Sequence, residues 1–170
     1  MKSICFRTDV LPLKDVLYRL ALRITQKHEE AEDVVQDTMM KVWNKRDDLG
    51  AIESIEAYCL TVCRNLALDK LRAKSRQNEP LDAEHLETPD LGGSPYEQML
   101  QKDRIALVRQ MVNSLPEKQR SCMQLRDFEG KSYKEIASIL NISEDQVKVN
   151  IFRARQAIKQ KYQQIEGYGL

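Results

Sequence analysis

The sequence predicts an all-α protein, two small helical units joined by a flexible acidic linker. Three observations carry that expectation. Apolar residues recur at three- and four-residue spacing in several stretches, no stretch sustains the period-two alternation of a strand, and charge falls in basic, acidic and basic blocks. Between Arg64 and Arg76 the chain carries Arg64, Lys70, Arg72, Lys74 and Arg76 against Asp69 alone. From Gln77 to Glu97 it carries Glu79, Asp82, Glu84, Glu87, Asp90 and Glu97 with no Lys or Arg, and after Lys131 the balance turns basic again. A net charge of +1 hides this layout, which suits two surfaces facing a polyanion and a tether that avoids one.

Three helices are legible before residue 77. Leu13, Val16, Leu17, Leu20 and Ile24 mark the first, and Ala31, Val34, Val35, Thr38 and Val42 form one stripe of the second, which ends near Trp43. The third runs from about Ile55 to Lys74, with Cys59, Val62, Cys63 and Leu66 expected inside. The stretch QNEPLDAEHLETPDLGG, with two prolines, two glycines and the acid run, reads as an extended linker, so the expected division is 1–77, 78–93 and 94–170. Beyond it, the spacing of a capping box, in which a Ser hydroxyl and a Glu or Gln three residues on satisfy each other's backbone amides, occurs at Ser94/Glu97, Ser114/Glu117, Ser132/Glu135 and Ser143/Gln146. Pro95 suits a first helical position and Gly130 a position just past a helix end. Four helices follow, over about 95–113, 117–129, 133–140 and 144–163.

Composition narrows the chemistry. At 31% charged and 6% aromatic residues the cores should be modest and aliphatic. Cys5, Cys59, Cys63 and Cys122 lack C-x-x-C spacing, and His28 and His85 are the only histidines, so neither a metal site nor a cofactor is expected. No Gly-rich phosphate loop or nucleophile–base pattern suggests an enzyme. The opening MKSICFRTDV reaches Arg7 and Asp9 before a signal-peptide core can form, and no run approaches the roughly 18 apolar residues of a membrane span, so a cytoplasmic protein without membrane insertion is expected.

The last two helices carry the most specific motif, SYKEIASILNISEDQVKVNIFRARQAIKQ. Ala137 provides the small side chain that two helices crossing near a right angle need, and Asn141 tolerates the left-handed turn between them. Ile142, Val147 and Ile151 would bury the inner face of the last helix, leaving Glu144, Asp145, Lys148, Val149, Phe152, Arg153 and Arg155 on its exposed sides. This is the pattern of a helix-turn-helix that reads bases in the major groove; a solvated helical hairpin is the plainer alternative. On the third helix Thr61, Asn65, Asp69, Arg72 and Arg76 fall within about 80° of one another at 100° per residue, a mostly cationic face that suits DNA or, more plainly, water. On the second, Asp33, Gln36, Asp37 and Met40 lie opposite the core stripe, where acids would repel DNA and a protein partner or solvent fits better.

Taken together these motifs resemble the extracytoplasmic-function (group IV) sigma factors of bacterial RNA polymerase. EEAEDVVQDTMMKVW resembles their core-polymerase-binding helix, AYCLTVCRNLALDKLRAKSR their promoter-melting and −10 segment, and the stretch from LPEKQRSCMQLRDFEG to IFRARQAIKQ their −35-reading domain. The likeness spans about residues 10–77 and 94–163, in the family's order. It implies that Asp33, Gln36 and Asp37, with Met40 beside them, meet the clamp helices of the polymerase β′ subunit. It implies that Thr61, Asn65, Asp69, Arg72 and Arg76 meet the −10 element, and that Ile52, Glu53, Ser54 and Ile55 form a loop that captures a flipped base. It implies that Lys148, Val149, Asn150, Phe152, Arg153 and Arg155 meet the −35 element, and it adds an anti-sigma factor as a candidate partner. Tyr58 and Cys59 replace a frequent Trp-Leu pair, and Val149 and Asn150 replace more polar or basic residues, so the bases read do not follow. A stand-alone helix-turn-helix regulator is the competing reading; it leaves the first 77 residues without a task.

Overall fold

The computed structural model describes residues 3–77 and 95–166, and among these every regular element is helical. A short 3-10 turn with Pro12 leads into α1 (Lys14–Thr25), which buries Leu17, Leu20, Ala21 and Ile24 and stops at Gln26, held at φ 60° with its amide on Leu22 O at 2.8 Å. Helix α2 (His28–Asn44) buries the expected stripe, Ala31, Val34, Val35, Thr38 and Val42; the buried Thr38 hydroxyl is satisfied by Val34 O at 2.7 Å. Helix α3 (Ile55–Gln77) packs across both. Each fully buried leucine in this bundle, such as Leu17 or Leu60, contributes about 1.5–3 kcal/mol by leaving water.

The inner face of α3 departs from expectation. Cys59 and Cys63 are buried, but Val62 and Leu66 are half-buried, and Leu60, Arg64 and Ala67 go inside instead. The cause is a second neighbour: α3 meets both the N-terminal bundle and the C-terminal unit, so its buried sector is wider than one stripe.

That unit comprises α4 (Pro95–Asn113), α5 (Glu117–Met123) with a π-helical turn at Gln124–Phe128, α6 (Tyr133–Leu140) and α7 (Glu144–Glu166). Gly130, at φ +69°, turns the chain after the wide turn, and the Lys131 amide closes it on Leu125 O at 2.8 Å. Two of the four expected capping boxes are present in full, at Ser132/Glu135 and Ser143/Gln146, each with reciprocal bonds of 2.8–3.1 Å. Ser114/Glu117 is not one. Pro116 caps α5, the Ser114 hydroxyl donates to Met111 O at 2.6 Å, and the Glu117 carboxylate is taken by Arg64 and Ser121. Ser94/Glu97 and the acidic linker lie outside the described side chains.

The two units are in contact. One apolar cluster runs from Val10 in the N-terminal bundle to Ile151 in α7, with α1 against α5 and α3 against α6. Polar ties cross the same seam: Arg64 to Glu117 at 3.1 and 3.2 Å, Arg19 to Glu129 at 2.6 and 2.9 Å, Lys131 to Glu56, and Arg23 to Gln124 at 2.8 Å.

Burial also sorts the cysteines. Burial pushes the Cys63 thiol up to about 12 and those of Cys59 and Cys122 to about 11, whereas exposed Cys5 is lowered by hydrogen bonding to Thr8. Alkylation of the native chain at pH 7.5 should therefore modify Cys5 alone, with the other three reacting only in denaturant; mass spectrometry of the labelled peptides checks it.

Candidate nucleic-acid and polymerase interface

The last helix pair has the geometry expected of a DNA-reading motif. The capping box at Ser132 starts α6, Asn141 breaks it in the left-handed region at φ 55°, ψ 49°, and the second box restarts the chain as α7. The Ile142 amide bonds Ala137 O at 3.1 Å across the turn, where Ala137 is half-buried. Ile136, Ile139, Leu140, Val147 and Ile151 fill the angle between the helices. Asn141→Ala should cost about 1–2 kcal/mol, because alanine is strained there, and Asn141→Gly far less; chemical denaturation of the two variants checks it.

Lys148, Val149, Phe152, Arg153 and Arg155 all face solvent, and among the described residues Phe152 keeps 63% of its surface exposed, a large apolar group left uncovered. Two of the expected residues are less available. Asn150 is half-buried and spends an amide proton on Gln146 O at 2.8 Å, and the Arg155 guanidinium forks onto Asp127, whose hydrogen bond raises its pKa. Lys148 and Arg126 both lie over the Tyr133 ring, at 5.7 and 4.4 Å from its centroid, placing further cations beside the start of α6.

On α3 the polar sector stays open: Asn65, Asp69, Arg72 and Arg76 are exposed, with Arg72 3.6 Å from Asp69. Thr61 is half-buried and donates its hydroxyl proton to Ala57 O at 2.8 Å. The basic run is less cationic outward than it reads. Arg64 is buried on Glu117, Lys74 is buried 2.7 Å from Glu30, and Lys70 lies 3.9 Å from Asp33, so Arg72 and Arg76 carry most of the outward charge. The loop before α3 is divided too. Ile52 and Ile55 pack against the core, Glu53 and Ser54 face out, and Ser54 caps α3 by accepting from the Ala57 amide at 3.2 Å.

Sequence reasoning missed a cavity of about 400 Å³ between the end of α2 and the start of α3, lined by Lys41, Asn44, Lys45, Tyr58, Val62 and Asn65. Lys41, Asn44 and Lys45 stand at helical i, i+3, i+4 spacing, but which helix they face is a tertiary fact. Along α2, Asp33, Gln36, Asp37 and Met40 are all exposed, Met40 by 64%. Trp43 continues that surface, flanked by Phe6 edge-on at 5.0 Å and by the Arg46 guanidinium 4.3 Å from its ring centroid.

Known proteins share this arrangement. Residues 10–77 match the family model "Sigma-70 region 2", and residues 105–158 match "Sigma-70, region 4". The ECF RNA polymerase sigma factor SigL of Mycobacterium tuberculosis is 30% identical over 151 residues, covering 88% of this chain and 84% of SigL. The ECF RNA polymerase sigma-E factor of Salmonella typhimurium is 31% identical over 142 residues, covering 79% and 74%. Among solved structures, the sigma factor RpoE of Bartonella quintana, in complex with the anti-sigma factor NepR, superposes with a TM-score of 0.71 at 27% identity, covering 91% of this chain and 94% of that one. CnrH, in complex with the cytosolic domain of CnrY, superposes at 0.66 and 22% identity and shares the fold. A helical region-2 bundle followed by a region-4 helix-turn-helix defines an RNA polymerase sigma factor. Within that class, this chain belongs to the ECF sigma factors.

Proposed function

We propose that the chain binds bacterial core RNA polymerase through the face Asp33, Gln36, Asp37 and Met40, with Trp43 extending it, and directs the enzyme to promoters through two DNA contacts. The observation that carries this reading is the separation of faces: acids and an exposed Met on one side of α2, a cationic α3 sector elsewhere, and a third surface on α7. Residues 1–77 serve as the polymerase and −10 unit, 78–93 as the linker and 94–170 as the −35 unit.

On duplex DNA, Lys148, Val149, Phe152 and Arg153 sit in the major groove. Arg153 is placed for base edges or phosphates, and the apolar Val149 and Phe152 for thymine methyls. Arg155 and Asn150 act less directly, since each already holds an intramolecular bond. On the −10 element, Asn65, Asp69, Arg72 and Arg76 follow the strand, with Thr61 behind them, while Glu53 and Ser54 offer the loop's polar edge and Ile52 and Ile55 brace it. Lys41, Lys45 and Tyr58 add cations and an aromatic wall beside Asn65, as single-stranded DNA binding favours. Unstacking a base costs a few kcal/mol, which capture by protein offsets, so melting needs no nucleotide hydrolysis by this chain.

An anti-sigma factor is the proposed regulator, in keeping with the complex of the neighbour RpoE with the anti-sigma factor NepR. A groove of about 1320 Å³ between α1, α2 and α4 sets Leu22, Ile105, Val108 and Phe128 beside Arg23, Arg104 and Arg109, which suits an acidic amphipathic helix from such a partner. Burial and the neighbouring Arg109 and Arg120 lower the Arg23 guanidinium to about 10.

Run-off transcription with purified core polymerase on a genomic promoter library tests the function. Transcripts from a defined promoter set, absent without the chain, are expected; an unchanged transcript pattern rejects the proposal. A symmetric dimer footprint without polymerase would instead favour the stand-alone regulator.

A further inference from the structure

The groove between α1, α2 and α4 has a rim and a floor of different chemistry. The rim, with exposed Arg104, Val108 and Phe128, is open to a partner helix. The floor beneath is polar: half-buried Arg23 from α1, half-buried Arg109 and Asn113 from α4, and buried Gln124 from the π-helical turn. Neutral groups hold Arg23 there. Its guanidinium donates to Gln124 Oε1 at 2.8 Å and to Asn113 Oδ1 at 3.4 Å, and lies 5.2 Å from the Phe128 ring centroid. Behind the floor, Arg120 spends its terminal nitrogens on the carbonyls of Ile24, Asn113 and Leu115, and among the described residues its buried Nε has no partner. Among the described residues, none of Arg23, Arg109 and Arg120 forms an ion pair. The acids that line the groove are engaged elsewhere: Glu129 with Arg19 and Gln124, Glu32 with His28 at 3.0 Å, and Asp15 acting on Arg19.

We propose that this floor is a nucleotide site, in which Arg23 and Arg109 grip the phosphates of a nucleoside diphosphate while Phe128 stacks on its base. Charges taken out of water are ordinarily paired, and here the chain supplies amides and carbonyls to its arginines instead of carboxylates. Arg109 and Arg120 stand near enough to Arg23 to lower its pKa, a repulsion that a bound anion relieves. The planar guanidinium fork matches a phosphate in two hydrogen bonds, so two arginines serve two phosphates. Arg23 lies over the Phe128 ring, which keeps 54% of its surface exposed and offers the remainder to a base. Stacking of this kind tolerates base identity, so both purines are accepted. At about 1320 Å³ the groove exceeds the roughly 300–1,000 Å³ of common small-molecule sites, leaving room for the whole nucleotide. The site does not rest on the sigma reading, and neither polymerase nor DNA enters its test.

Isothermal titration of the full chain with ADP, GDP, inorganic pyrophosphate and adenosine tests it, at about 0.15 M salt, where exposed charges are largely screened. ADP and GDP should bind one per chain, pyrophosphate about fivefold more weakly or worse, and adenosine not at all. Arg109→Ala and Arg109→Lys should each weaken ADP by about tenfold or more, because lysine keeps the charge and loses the fork. Phe128→Ala should weaken ADP by about fivefold and leave pyrophosphate unchanged. Lys118→Ala, an exposed cation away from the groove, should alter neither. Circular dichroism confirms retained helicity in each variant, and ADP should raise the melting temperature of the wild type but not of Arg109→Ala. ADP binding as tight in Arg109→Ala as in the wild type overturns the phosphate grip. Pyrophosphate binding as tight as ADP overturns the nucleotide assignment. Several equivalents per chain, lost equally in Lys118→Ala, would mean attraction to basic surface at large and would overturn the site.

Discussion

Asp37→Lys is expected to lower affinity for core polymerase by tenfold or more, with the fold and the promoter preference of residual complexes unchanged. Asp37 is exposed and has no structural task in α2, so the substitution acts on the outward face and not on the core. A charge placed against its own sign across an interface costs several kcal/mol, and tenfold corresponds to about 1.4 kcal/mol, so the expectation is conservative. Anisotropy titration of labelled core enzyme measures it. Wild-type affinity in this variant would remove the acidic face of α2 from the polymerase contact.

The second large effect is on α7. Arg153→Ala should lose about 1–3 kcal/mol of promoter affinity in the holoenzyme if the guanidinium reads a base, with relaxed preference at one −35 position. If it holds a phosphate, the loss is spread evenly over sequences and the salt slope falls by about one. Arg155→Ala should do less, because Arg155 is already committed to Asp127 and removing it exchanges an intramolecular pair for a free acid. Competition footprinting over a set of −35 variants separates the two modes. An Arg153→Ala holoenzyme with unaltered footprint and output would take Arg153 out of the interface.

Which parts of this molecule were legible in the sequence follows from how local their causes are. The α2 stripe, the boxes at Ser132 and Ser143 and the left-handed Asn141 depend on a few neighbouring residues, and each appears where its spacing places it. The apparent box at Ser114 failed because Glu117 is claimed from another helix, by Arg64. Pairing with other helices likewise widened the buried sector of α3 to take in Arg64, held by Glu117, and removed Lys74, held by Glu30, from the outward basic face. One-dimensional charge counting cannot separate cations that meet DNA from cations that close a seam. The cavity at Lys41, Asn44, Lys45 and Tyr58 was invisible for a related reason: it exists only because the end of α2 faces the start of α3.

The central claim is that these helical units separate promoter strands only when polymerase unites them. Permanganate mapping of unpaired thymines on a cognate promoter tests it most directly. Reactive thymines confined to the −10 region, present with the chain and core polymerase together and absent with either alone, are the predicted result. Reactivity produced by the chain without polymerase, or none from the mixture on a promoter that it transcribes, would contradict the account.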